Sequence, residues 1–311
     1  MDSFHFSPAS DALTAEDARR ALCLWLAARR QNGSFTVPLC DGAWREELRW
    51  LALDWDREEE KGEAPDWLSS LSTLEECEPS PWGQWGGRTP VAELRELGVL
   101  PEALVNFLAL TAWQPPAGSE VESPGEVFSR EELLACWSPE QLRREGVRFD
   151  FELLRRVNHA WLERADPDRV LELALPYYRR ADWLPDQITE TQRLWLRDLI
   201  QAVLPGLDFL SLLPPRTRLV FAYQPEHYLR VPESRQAMER EGAREVLRAF
   251  GSRVLSDSWL SAERYQQILE EVRQETHWRG RNLHQPIRVA LTGLPFGPGL
   301  DELIPLIERG A

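Results

Sequence analysis

A mainly helical chain preceded by a short α/β unit is the fold class that the sequence predicts, and three observations predict it. From Pro90 onward nearly every segment carries apolar residues at helical spacing, with Pro and Gly at the breaks. Residues 3–55 instead alternate two short apolar runs with two amphipathic stretches, the opening of an α/β unit with a parallel sheet. Between these parts, residues 57–90 hold a charge run from Glu58 to Glu63 and a stretch from Glu78 to Pro90 dense in Pro and Gly, which reads as a linker.

Taken in order, residues 4–7 are short and apolar-leaning and read as a strand. Residues 13–29 repeat Leu13, Ala18, Leu22, Trp25 and Leu26 at helical spacing, with Thr14 placed to cap the helix three residues before Asp17. Residues 34–39 read as a second strand and 44–53 as a second helix. Only two strands are evident, few for such a sheet. Helices are then predicted over Val91–Leu97, 101–110, Arg130–Cys136, 139–145, 151–163, 167–177, 189–203, 234–250 and Ala262–Thr276, with a last one beginning near Gly299 after Pro298.

At 311 residues, 43% of them apolar and 28% charged, the chain is long enough for two or three domains with cores of their own. No run approaches the roughly 20 apolar residues of a membrane helix. Met1-Asp2-Ser3-Phe4 carries no basic segment followed by an apolar stretch, so no signal peptide is expected and the cytoplasm is the expected location. Cys23, Cys40, Cys77 and Cys136 lie far apart without a C-x-x-C pair; they read as reduced, packed thiols, and no metal or cofactor site is expected.

The net charge of −15 argues against a nonspecific polyanion binder, but it is unevenly spread. Residues 186–311 carry 16 Arg against 17 Asp and Glu, whereas residues 1–185 carry the remaining 20 basic and 34 acidic groups. A structured RNA is repelled by the front and tolerated by the back, where arginines can cluster; the same charges also fit a scatter over solvated helices. Lys61 is the one lysine among 36 basic residues, and arginine suits phosphate and base contacts.

Residues 88–113, R-T-P-V-A-E-L-R-E-L-G-V-L-P-E-A-L-V-N-F-L-A-L-T-A-W, closely resemble the stretch after the signature lysine loop of glutamyl-tRNA synthetases. The resemblance continues in Glu126-Val127-Phe128-Ser129, in Phe149-Asp150, in Asn158 and Trp161, in Pro286-Ile287-Arg288-Val289-Ala290-Leu291-Thr292-Gly293, and in Gly297-Pro298. At the front, Leu48-Arg49-Trp50-Leu51-Ala52-Leu53-Asp54-Trp55-Asp56 is similar to a motif of the family's nucleotide-binding domain. The resemblance implies C-terminal helical anticodon-binding domains preceded by a truncated, Rossmann-like α/β remnant. It places the nucleotide-binding remnant and linker at 1–80, a stem-contact-like helical domain at 81–165, and two anticodon-binding-like helical domains at 166–240 and 241–311.

The chemistry that the resemblance implies is altered. Amino-acid activation joins a carboxylate to the α-phosphate of ATP, so the site must hold several phosphate charges. The family's histidine-bearing turn at a helix start aligns to Thr14-Ala15-Glu16-Asp17, where two carboxylates repel ATP and occupy the favourable field of the helix N-terminus. The lysine signature aligns to Pro81-Trp82-Gly83-Gln84-Trp85, without either lysine. Of the glutamate-binding motif aligned to Pro38-Leu39-Cys40-Asp41-Gly42-Ala43, only Asp41 matches, and the family's early Arg falls near Phe4 or His5. A long acceptor-arm insertion is reduced to the residues between Asp56 and Pro81. An inactive homologue of glutamate–tRNA ligase is expected, and His5, His159, His227, His277 and His284 form no substitute active site.

For tRNA, the candidates are Arg273, Trp278, Arg279, Arg281, His284 and Arg288, since Arg can bond bases and phosphates and Trp can stack on an unpaired base. Arg216 and Arg218, following Pro214-Pro215 in an expected interhelical turn, are two more. Trp82 and Trp85 read either as cover for surface left bare by the shortened domain or as a protein contact. Three functions stay open: a noncatalytic binder of tRNA, with glutamate tRNA the implied partner, in a regulatory or accessory role; a protein-interaction module using the acidic front half; and a fragment working with a catalytic chain, against which the substituted residues 14–17 argue.

Overall fold

The computed structural model describes residues 2–60, 62–79, 82–114, 127–222 and 230–310. The chain divides into two units, Met1–Arg164 and Ala165–Ala311. Glu126, Pro81 and His227, singled out above, lie outside the described residues.

The first unit begins with three parallel strands in the order β1 (Ser3–His5), β2 (Ser34–Pro38), β3 (Arg57–Glu59), with Phe4 opposite Phe35 and Val37 opposite Glu58. β3 corrects the expectation of two strands. Its residues are a charge run, but Asp56 anchors the segment: its N–H donates to the Phe35 carbonyl and its carboxylate accepts the Phe35 N–H, both at 2.8 Å. A charged strand suits a sheet edge, where it discourages further pairing.

Helix α1 (Ala15–Arg30) connects β1 to β2, and α2 (Trp44–Trp50) connects β2 to β3. Ala15, Ala18, Leu22, Leu24 and Ala28 are all buried, so α1 is apolar nearly all round and packs on the sheet, on α4 (Pro101–Ala112) and on α5 (Arg130–Cys136). Within this core Arg19 is fully buried; its guanidinium donates to the Thr111 carbonyl at 3.1 Å and to the Ser72 carbonyl, and pairs with Glu16 at 3.3 Å. The expected linker is partly ordered, with a 3-10 turn at Asp66–Ser70 and β4 (Leu74–Glu75) parallel to β5 (Val147–Arg148).

Helix α3 (Val91–Leu97) ends at Gly98, whose φ of 94° is the left-handed cap glycine adopts freely. Buried Asn158 of α6 (Phe151–Arg164) holds the following turn: its Oδ1 accepts the Leu100 N–H at 2.8 Å and its Nδ2 donates to the Gly98 carbonyl at 3.3 Å. The helix expected over 139–145 is instead one 3-10 turn, Pro139–Gln141. There Leu142 bridges Trp113, and the Arg143 N–H donates to the Ala112 carbonyl at 2.9 Å, so the chain runs extended along the end of α4.

The second unit is helical: α7 (Pro167–Arg180), α8 (Glu190–Val203), α9 (Leu213–Phe221), α10 (Pro232–Met238), α11 (Ala243–Val254), α12 (Ala262–Thr276), α13 (Arg281–Thr292) and α14 (Leu300–Gly310). α8 packs on α7, α9 and α14, while α11, α12 and α13 form a second cluster that meets α14 through α12. The single helix expected over 234–250 breaks at Gly242. That residue has φ 81°, and a Cβ there would stand 2.1 Å from the Trp278 indole, so only glycine fits.

Candidate nucleic-acid interface

The start of α1 is closed by its own chain. Thr14 and Asp17 form a capping box: the Asp17 N–H donates to Thr14 Oγ1 at 3.1 Å, and Asp17 Oδ2 accepts the Thr14 hydroxyl at 2.8 Å and its N–H at 3.3 Å. The Ala15 N–H donates to the Thr89 carbonyl and the Glu16 N–H to the Gly87 carbonyl, both at 2.8 Å. These three N–H groups are the ones a helix start presents to an anion. Glu16 fills the same region, its Oε2 accepting the Leu74 N–H at 3.0 Å. Gly87 makes the approach possible, since a Cβ there would lie 2.4 Å from the Leu74 carbonyl oxygen.

Residues aligned to the other altered motifs lie apart from this helix end in their bonding. Gln84 donates to Glu76 at 3.0 Å. Cys40 is exposed, and its carbonyl accepts Arg45 Nε at 3.1 Å. The two tryptophans separate: Trp85 is buried and Trp82 is 42% exposed, while both stack on Phe151, at 5.8 and 6.4 Å.

In the second unit, a cavity of about 440 Å³ is built from the end of α8, the first turns of α9, the end of α13, the loop 293–299 and the start of α14. It brings Arg216 and Arg288 together across a gap of 72 positions in sequence (288 − 216). Pro215, Leu219, Leu294, Phe296 and Leu303 supply apolar wall, and Glu302 adds a carboxylate. Arg288 is half-buried and fixed by a 2.5 Å bond from Nη2 to the Pro298 carbonyl. Burial pulls its pKa below the ordinary arginine value, with Tyr265 and Asp301 acting against the shift. Apolar walls with a few convergent polar groups are the usual make-up of a binding pocket.

Arg216 and Arg218 sit on α9, not in a turn. The prolines that suggested a turn occupy the first helical positions, where the missing N–H costs nothing. Arg281, His284 and Arg288 are spaced i, i+3, i+7 and share a face of α13, a helix that is not among those predicted from the sequence. His284 is exposed, and desolvation first, then Arg288, lowers its pKa. Arg279 is exposed before that helix. Arg273 and Trp278 differ from the rest: Arg273 Nε donates to Glu270 at 2.7 Å, and the Trp278 indole covers Gly242 while its N–H donates to Glu245 at 3.1 Å. Trp278 is therefore a packing residue over the α10–α11 break; of the eight candidates Arg216 and Arg288 line the cavity, and Arg218, Arg273, Trp278, Arg279, Arg281 and His284 do not. Phe296 and Glu302 line the cavity without having drawn notice in the sequence, where the one available signal was the Gly and Pro density around Phe296.

Among the described residues there is no group of His, Cys, Asp and Glu placed to hold a metal ion, and no helix long and apolar enough to cross a membrane.

Residues 169–311 match the anticodon binding domain family. The chain is 29% identical over 223 residues to glutamate–tRNA ligase 1 of Caldicellulosiruptor saccharolyticus, covering 72% of this chain and 44% of that one. It is 33% identical over 219 residues to the glutamate–tRNA ligase of Geobacillus stearothermophilus, covering 70% and 43%. The chain thus spans less than half the length of these curated relatives. Its fold matches a crystal structure of a glutamate tRNA ligase from Elizabethkingia meningosepticum, with a TM-score of 0.68 at 12% identity over 99% of this chain and 96% of that one. The chain is accordingly a relative of the glutamate–tRNA ligases that carries an anticodon-binding domain in its C-terminal part.

Proposed function

We propose that this protein binds tRNA through its helical second unit and does not itself activate glutamate, so that it serves translation in the cytoplasm as an accessory or regulatory factor. The tRNA to which the relatives' names point is glutamate tRNA. In this reading residues 1–80 are a nucleotide-binding remnant with its linker, 81–165 a stem-contact part, and 166–240 and 241–311 two successive anticodon-binding parts.

The observation that carries the reading is the contrast between the two units. At the start of α1 the N–H groups of Ala15, Glu16 and Asp17 are already bonded within the chain, and two carboxylates stand where phosphate charge has to be held. In the second unit, by contrast, the anticodon-binding domain keeps an apolar cavity with Arg216 and Arg288 in its wall. Guanidinium groups bond phosphates and base edges, and a desolvated apolar wall accepts a base removed from its stack.

Incubation of the full chain with ATP, labelled glutamate and glutamate tRNA tests this. The expected result is no charging above the protein-free rate while the tRNA is retained on the immobilised protein. Charging, or release of pyrophosphate that requires glutamate, would overturn the noncatalytic half of the reading.

A further inference from the structure

The first unit has a cavity of its own, at the start of α6. Its volume is about 530 Å³, and Glu78, Trp82, Arg148, Asp150, Phe151 and Glu152 contribute to its lining. The aromatic part of the wall is built to keep one ring outside. Trp85 is buried against Phe151; its indole N–H donates to the Trp82 carbonyl at 3.0 Å and its backbone N–H to Cys77 Sγ at 3.3 Å. The Cys77 N–H in turn donates to the Trp85 carbonyl at 2.7 Å. Gly83, with φ 110°, lets the chain turn between the two tryptophans. The anchored turn leaves Trp82 stacked on Phe151 yet 42% exposed in the cavity wall.

The charges of the same wall choose the occupant. Three carboxylates, Glu78, Asp150 and Glu152, stand against one guanidinium, Arg148. Arg148 pairs with Glu78 at 3.5 Å, Glu152 accepts Arg155 Nε at 2.9 Å, and Asp150 Oδ1 accepts the Leu153 N–H at 2.9 Å. A carboxylate offers about four acceptor positions, so each keeps capacity for a further donor. The start of α6 carries about half a positive charge, which opposes a cation, but the Asp150 and Glu152 carboxylates at that end outweigh it. A phosphate meets the same carboxylates and is repelled. An exposed indole beside carboxylates instead suits a cation held over the ring. Guanidinium fits better than ammonium, being planar and weakly hydrated: it stacks by its face and donates from its edge. The acidic excess of residues 1–185 favours the approach of a basic partner. We propose that this cavity receives an arginine side chain of a partner protein, its guanidinium stacked on Trp82 and bonded by Asp150 and Glu152. The assignment is independent of tRNA binding by the second unit.

The test is a titration of the full chain into a fluorescent peptide in which arginine alternates with glycine, read by anisotropy. Parallel titrations use the same peptide with lysine, and with citrulline, which keeps the shape of arginine without its charge. The arginine peptide is expected to bind about threefold tighter than the lysine peptide and about tenfold tighter than the citrulline peptide. Trp82→Leu is expected to weaken it about fivefold, as for a cation–π contact at a partly exposed site, and Trp82→Phe to restore most of the affinity. Glu152→Gln weakens it several-fold, whereas Glu131→Gln, an exposed carboxylate outside the cavity, leaves it unchanged. Absence of binding, equal affinity for arginine and lysine or for arginine and citrulline, or native affinity in Trp82→Leu each overturns the assignment. Loss of tRNA affinity in Trp82→Leu with the peptide unaffected makes the cavity an RNA contact, which overturns it as well. The melting temperature verifies that Trp82→Leu is folded; should it not be, native affinity in Glu152→Gln overturns the assignment by itself.

Discussion

The carboxylate of Glu16 accepts the backbone N–H of Leu74 at 3.0 Å, while the N–H of Glu16 itself donates to Gly87. One residue thereby ties the start of α1 to two segments far along the chain. Gly87 is the tightest point of this arrangement, which leads to a paired prediction. Gly87→Ala pushes a methyl group to 2.4 Å from the Leu74 carbonyl oxygen and destabilises the fold by about 1–3 kcal/mol. Gly251→Ala, in the interior of α11 with nothing within 4 Å of the added carbon, stabilises it by about 0.5–1 kcal/mol. Opposite shifts in denaturant midpoint are expected; shifts of the same sign would contradict the packing described.

Asn158→Leu removes the acceptor of the Leu100 N–H from a fully buried site and leaves that N–H and the Gly98 carbonyl without this partner. The expected loss is about 1–3 kcal/mol for the stranded N–H group, read as a lower midpoint of chemical unfolding. An unchanged midpoint would mean that the turn between α3 and α4 is held by something else.

His5 gives a pH dependence. It is buried with its Nδ1 at 3.0 Å from the Thr36 hydroxyl, and desolvation lowers its pKa, with Glu59 partly offsetting the shift. The unfolded chain therefore takes up a proton near the ordinary value of about 6.5, where the folded chain does not. Stability is full above that pH and falls as the pH drops toward the lowered folded value. Unfolding midpoints measured from pH 7.5 to 5 are expected to fall less steeply for His5→Gln than for the native chain. Parallel profiles would remove His5 as the source.

Arg216 and Arg273 separate cavity arginines from paired ones. Arg216 is exposed on the cavity wall, whereas Arg273 is held by Glu270. Arg216→Gln is expected to weaken tRNA binding several-fold and to lower the slope of log affinity against log salt by about 1 if the contact is to phosphate. Arg273→Gln is expected to leave both within error. Equal effects at the two positions would show that the cavity is not where the RNA sits.

How much of this was legible in the sequence depended on how local the determining forces were. Helices Val91–Leu97, Arg130–Cys136 and Ala262–Thr276 fall where apolar spacing predicts them, and Thr14 caps α1 as its spacing to Asp17 implies. Strand β3 was hidden because its charged residues resemble a solvated run and its pairing depends on Asp56 and Phe35, 21 positions apart. Helices α9 and α13 were hidden by prolines at a start and in an interior, and the break at Gly242 depends on the distant Trp278. The cavity was least legible of all, since its lining runs from Ala202 to Leu303 and consists largely of Leu, Pro and Gly, which carry no chemical signature one at a time.

Competition between tRNAs measures whether the protein binds tRNA and distinguishes one tRNA from another. Fluorescent glutamate tRNA bound to the full chain at moderate salt is displaced by unlabelled glutamate tRNA or by an unrelated tRNA, and anisotropy reports the exchange. Displacement by glutamate tRNA is expected at concentrations at least tenfold lower than by the other, a difference of about 1.4 kcal/mol. Equal displacement by both, or no binding of either, would contradict it.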